Sequence, residues 1–154
     1  MTVPAVPRPP TPPKIDAGDA AASRRLRWAV VMYVLAVLAH GADHVRRGVD
    51  AVTTQVRSAG QVQLVLALVV LGLVLRRHGW APPAAAALGF TSALLFVAVH
   101  FVPYWGSFSD AFTGRRVGPD VTALSWVAAI VEVAAGIVLG WTGMRALNRS
   151  ASLS

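Results

Sequence analysis

The sequence predicts an all-α protein, an integral membrane four-helix bundle preceded by a disordered N-terminal tail. Three observations predict it. The 154-residue chain is 55% hydrophobic and 14% charged, where soluble domains carry about 25% charge. Its mean hydropathy is +0.58, too apolar for a soluble domain, and its length leaves room for one compact unit. The apolar residues also fall into four stretches, separated by arginine-, proline- and glycine-bearing segments.

The elements follow in order. Residues 1–22 hold six prolines (Pro4, Pro7, Pro9, Pro10, Pro12 and Pro13) and little that packs, which predicts a disordered, semi-extended cytoplasmic tail. The transmembrane domain is expected over 23–146, with a short C-terminal tail over 147–154. Its first apolar stretch runs from about Trp28 to Ala42 behind Arg24-Arg25-Leu26-Arg27. The second runs from about Val62 to Leu75 and closes on Arg76-Arg77-His78. The third begins after Pro82-Pro83 and reaches Tyr104; the fourth spans about Val121 to Gly143 and closes on Arg145. The last two approach or exceed the ~20 residues that cross hydrocarbon. The first two do so only if their polar ends are counted in. Trp28, Trp80, Tyr104, Trp105 and Trp141 fall near stretch ends, as an interfacial aromatic belt requires.

Val37-Leu38-Ala39 would satisfy a small-residue cleavage rule, but the long proline-rich tail ahead of the cationic run argues against a signal peptide. Orientation follows from lysine and arginine. Nine positions (Arg8, Lys14, Arg24, Arg25, Arg27, Arg76, Arg77, Arg145 and Arg149) lie on the side of the two termini, and five (Arg46, Arg47, Arg57, Arg115 and Arg116) on the other. That balance puts both termini in the cytoplasm of a multi-pass plasma (inner) membrane protein. The net charge of +7 is therefore read as membrane flanking and not as a nucleic-acid surface. The absence of cysteine excludes disulfides, thiolate metal sites and cysteine nucleophiles.

Five ionisable residues stand inside or at the ends of the apolar stretches: His40, Asp43, His44, His100 and Glu132. Hydrocarbon penalises such groups by about 2.5–3.5 kcal/mol or more, so they face a bundle interior and often mark a site. Helical spacing puts His40 on a face with Ala36, Tyr33 and Ala29, and Asp43 and His44 one turn beyond. His100 shares a stripe with Phe96, Ala93, Gly89 and Ala85, and Glu132 one with Ser125, Ala128, Gly136 and Gly143. Small residues let membrane helices approach closely, so these stripes are packing faces. The second helix has no such stripe beyond Gly72 and reads as the most lipid-exposed. One outward-facing pocket is expected to gather His40, Asp43, His44 and His100, with Glu132 as its floor.

Three readings of that cluster stay open. The first is a metal site on His40, His44 and His100, with Asp43 as a ligand or orienting a histidine and Glu132 beneath; imidazole and carboxylate suit Zn, Cu or Fe, and histidines on facing helices also suit axial ligation of haem b. The second is a purely structural or accessory membrane subunit with a polar core, in which Asp43 pairs with Arg46 or Arg47 and Glu132 bonds Ser125. The third is a proton- or ion-transfer component. The lipid bilayer is the implied environment, with a membrane protein or second copy as partner. Ser107, Ser109 and Asp110 lie near His100, but no glycine-flanked nucleophile elbow accompanies them, so the sequence leans away from an enzyme. The two segments HGADHVRRG and HFVPYWGSFSD resemble those of uncharacterised small four-helix membrane proteins of GC-rich bacteria, over roughly residues 25 to 145. That resemblance implies the architecture and supplies no activity.

Overall fold

The computed structural model describes residues 17–48 and 50–151. They form four helices and no strand: α1 (Ala17–Arg47), α2 (Thr54–Leu75), α3 (Ala81–His100) and α4 (Ala123–Ala151). Each is long and apolar enough to cross a bilayer. The chain is a multi-pass membrane protein built as an up-and-down bundle in which each helix packs on the next and α4 closes on α1.

Local chemistry sets the limits. α1 stops at Gly48, whose φ of +100 is the left-handed conformation glycine takes without strain. Thr53 caps α2 by accepting from the Val56 N–H at 3.2 Å. The other end of α2 closes in a Schellman pattern: His78 N–H bonds the Leu73 carbonyl and Arg77 N–H that of Val74, with Arg77 at φ +52. Pro82 and Pro83 sit in the first turn of α3, where a missing N–H costs nothing. At the start of α4 the Ser125 hydroxyl accepts from the Thr122 N–H at 3.2 Å.

These ends correct several sequence estimates. Residues 17–22, assigned to the tail, form the first turns of α1, while 1–16 lie outside the described residues. α1 also runs past Ala42 to Arg47, because Asp43 and both arginines find partners inside the bundle. α2 begins at Thr54 and not Val62, so Arg57 and Ser58 belong to the helix and not to the first loop. α3 ends at His100 and not Tyr104. α4 continues beyond Gly143 to Ala151, inside the expected tail, and 152–154 lie outside the described residues. Trp28 and Trp141 face outward where the apolar stretches of α1 and α4 give out, and the turns beyond carry Arg24, Arg25, Arg145 and Arg149.

The α3–α4 contact is the closest in the bundle. A Cβ on Gly89 would lie 2.5 Å from the Gly136 carbonyl oxygen and 2.8 Å from the Gly140 Cα. Only glycine permits that approach, as the small-residue stripes predict. α2, by contrast, buries only Val56, Ala67, Val70 and Val74 and is the least buried of the four spans. One apolar core joins Val30, Tyr33, Val37, Ala67, Val70, Ala85 and Leu139 in the half nearer the termini. A smaller, aromatic one of Phe96, Phe112 and Ala129 sits under the α3–α4 loop. The polar residues lie at and below this second cluster.

Candidate metal centre

α1 and α3 bring three imidazoles together. His40 and His44 stand one turn apart on the inner face of α1, and His100 is the last residue of α3. One ring nitrogen from each lies within 4.8 Å of the other two. Nε2 of His40 and Nε2 of His44 are 2.8 Å apart, so one donates and the other accepts. The His100 ring centre lies 4.9 Å from that of His40 and 6.0 Å from that of His44. Phe96 and Phe112 wall the cluster, their ring centres 4.5 and 4.6 Å from His100. His40 and His100 are buried, and the His44 side chain is 22% exposed. Nδ1 of His40 and Nδ1 of His44 are buried without a partner, a condition that costs about 1–3 kcal/mol per group.

The roof of the cluster is the α3–α4 connection, residues 101–122. It turns back onto the end of α3: Asp110 N–H bonds the Val99 carbonyl at 3.1 Å and Phe112 N–H the His100 carbonyl at 2.8 Å. Asp110 thereby lands over the histidines. Its main-chain carbonyl accepts from His100 Nδ1 at 3.0 Å, and its carboxylate Oδ2 lies 3.5 Å from that nitrogen and 3.9 Å from His44 Nδ1. Arg47 holds the same carboxylate with both terminal nitrogens, at 2.6 and 2.8 Å, and donates from Nε to the Pro119 carbonyl. Thr53 ties the α1–α2 loop to this roof through the Ser107 carbonyl. A cavity of about 280 Å³, lined in part by Thr53, Tyr104, Ser109, Asp110 and Arg116, lies on the loop side of Asp110.

The structure thus brings His40, His44 and His100 together and gives the two predicted carboxylates hydrogen-bond partners other than these histidines. Asp43 Oδ1 pairs with Arg46 Nε at 2.8 Å. Arg46 goes on to the Asp120 carbonyl and the Ser125 hydroxyl, at 3.0 and 3.2 Å. No described hydrogen bond joins Asp43 to a histidine, whereas the Asp110 carbonyl accepts from His100 Nδ1. Glu132 is not bonded to Ser125 either, which lies two turns away on α4. Its Oε1 accepts from Gln63 Nε2 at 2.5 Å, and the same amide reaches the Tyr33 hydroxyl at 3.0 Å. Glu132 is therefore the centre of a second polar group tying α4, α2 and α1, and no described hydrogen bond joins it to the histidines.

Sequence reasoning missed Asp110, Arg47 and Gln63 as members of these networks. Asp110 carried one signal: it is the nearest acidic residue following His100, and a buried arginine at the end of α1 needs a carboxylate. Gln63 carried none, because a single glutamine near a helix start reads as interfacial.

Imidazole nitrogens bound to one first-row ion at ~2.0–2.1 Å in tetrahedral geometry stand about 3.3 Å apart. The observed set reaches that spacing by a contraction of about 1.5 Å at its widest, within the reach of side-chain rotation. Between the facing helices the ring centres of His40 and His100 stand 4.9 Å apart with Phe96 packed on both rings, a compact set that suits a single ion better than a haem. No known protein family, no curated protein and no solved structure matches the chain.

Proposed function

We propose that this is a plasma-membrane protein that binds one transition-metal ion through His40, His44 and His100, in the half of the bundle facing away from the cytoplasm. The single observation that carries the reading is the convergence of three imidazoles, from two helices, on a space within 4.8 Å. Imidazole is a ligand for zinc, copper and iron, and the surrounding apolar walls oppose a hydrated alternative. Three protein nitrogens leave a fourth position for water or an incoming ligand, the pattern of a reactive or transferring site and not of a closed structural one. Asp43 and Glu132, engaged with Arg46 and Gln63, serve the fold around the site.

Orientation supports the same picture. The histidine end carries five of the cationic positions and the end with the termini nine, and two of the five, Arg46 and Arg47, are matched by Asp43 and Asp110. Among the described residues no direct hydrogen bond joins the histidine group to the Glu132 group, which favours the metal reading over a proton relay. The bilayer covers the outer faces of the helices, α2 above all.

Metal analysis of the full-length protein, purified in detergent from cells supplied with iron, copper and zinc, tests the proposal. The expected result is about one bound ion per chain, as one three-histidine site provides. His40→Ala and His100→Ala each lose it, while His78→Ala, in the distant α2–α3 loop, keeps it. Metal-free wild-type protein, or equal loss in His78→Ala, overturns the reading.

A further inference from the structure

A ligating histidine nearly always donates its other ring N–H to a carboxylate, carbonyl or water, which fixes the tautomer and aims the lone pair. In this cluster the Nδ1 atoms of His44 and His100 both face one residue. His100 Nδ1 donates to the Asp110 carbonyl at 3.0 Å, and His44 Nδ1 has no other partner and lies 3.9 Å from Asp110 Oδ2. A ring that keeps its hydrogen on Nδ1 carries its lone pair on Nε2. For His44 that is the atom already turned toward His40.

We propose that Asp110 is the positioning residue of the metal centre, its carbonyl holding the Nδ1–H of His100 and its carboxylate that of His44, so that both rings present Nε2 to the same ion. The inference rests on the metal reading above. Asp110 is suited to the role because its carboxylate is held on several sides. Arg47 clamps both carboxylate oxygens, and the Arg47 guanidinium is itself fixed by the Pro119 carbonyl and lies 5.5 Å from the centre of the Phe112 ring. Gly118 closes the third side: a Cβ there would run into Asp110 Oδ1 and come within 2.6 Å of Arg47 Nη2. For that bond His44 swings by about 1 Å, from 3.9 Å to ordinary hydrogen-bond distance. Arg47 thus sets the carboxylate, and the carboxylate sets the ring.

The test is a cobalt(II) titration of the full-length protein in lipid nanodiscs, read by affinity and by the visible ligand-field spectrum. Asp110→Asn is expected to weaken binding by roughly 10- to 100-fold and to shift the spectrum, while Asp110→Glu, which keeps a carboxylate, restores most of the affinity. Arg47→Gln removes the clamp but leaves the carboxylate, and is expected to lower thermal stability with a smaller loss of affinity. Should Asp110→Asn not fold, the double variant Arg47→Met, Asp110→Leu removes the pair without leaving a lone charge and must show the same loss and shift. Wild-type affinity and spectrum in Asp110→Asn or in the double variant overturn the proposal. So does an equal loss in Asp110→Asn and Arg47→Gln with no spectral change, which would make Asp110 a loop latch only. Wild-type protein that takes up no cobalt, or takes it up undiminished in His40→Ala, overturns the metal reading itself and this inference with it.

Discussion

The carboxylate of Asp110 is held by both terminal nitrogens of Arg47, sixty-three residues earlier in the chain, at 2.6 and 2.8 Å. The side chains are 2% and 0% exposed. Through this pair the last residue of α1 secures the loop that covers the ends of α1 and α3, and so the same contact closes the roof and stands beside the histidines.

That pair gives the first prediction. Two charges withdrawn from water contribute little net stability when matched, but removing one partner strands the other and costs about 3–5 kcal/mol. Arg47→Ala and Asp110→Ala should each lower the unfolding midpoint of the purified protein sharply. The double variant Arg47→Met, Asp110→Leu should recover much of the loss, because no lone charge remains. Thermal unfolding in a mild detergent reads all three. A double variant as unstable as the worse single one would show that the pair acts through loop geometry and not through charge.

Much of the architecture was legible in the sequence, and the limits of legibility have physical causes. Helical periodicity placed His40, His44 and His100 on inward faces at similar depth, and they meet. The small-residue stripes through Gly89 and Gly136 marked packing faces, and these meet in the α3–α4 seam. What periodicity cannot give is the path of a 22-residue connection: nothing in the spacing of His100 and Asp110 says that the chain turns back to hydrogen-bond Val99 and His100. Spacing thus pointed to Asp43, whose Oδ1 goes to Arg46, and gave no sign that Asp110 would lie over the histidines. Gln63 escaped for a related reason. Hydropathy alone started α2 at Val62, whereas the helix begins at Thr54 and Gln63 lies well inside it, bonded to Tyr33 and Glu132.

Gln63 carries the second prediction. Its amide donates to both Glu132 and Tyr33, and both acceptors are buried. Gln63→Leu leaves two buried polar groups short of a partner, each worth about 1–3 kcal/mol in protein interiors, though polar contacts inside membranes average nearer 0.6 kcal/mol. The exposed neighbour gives the control. Gln63→Leu should lower thermal stability measurably, and Gln61→Leu should leave it unchanged or slightly raised. Equal midpoints for the two variants would mean that the Glu132 group contributes nothing to the fold.

The helix seam gives the third. A Cβ at Gly136 would already press on the Gly89 carbonyl at 3.0 Å and the Ala93 Cβ at 3.3 Å, whereas one at Gly72 would meet nothing within 4 Å. Gly136→Leu should therefore force α3 and α4 apart and cost at least the 1–3 kcal/mol typical of overpacking. Because His100 rides on α3, the same variant should also weaken metal binding, while Gly72→Leu should spare both. Similar melting midpoints for the two would mean that the packed and lipid-facing sides are misassigned.

The last prediction concerns which compartment the site faces. The chain has no cysteine, so a single introduced thiol is unique, and three exposed serines sample the two ends. Ser23 lies near the start of α1, whereas Ser58 in the second turn of α2 and Ser107 in the α3–α4 loop share the histidine end. Nine cationic positions against five predict that the end with Ser23 lies in the cytoplasm. A membrane-impermeant maleimide applied to intact cells should label Ser107→Cys and Ser58→Cys, and should label Ser23→Cys only after the membrane is opened. Ser107 gives the cleaner reading, since it stands on the loop itself. Labelling of Ser23→Cys in intact cells would reverse the orientation, and the metal would then be drawn from the cytoplasm.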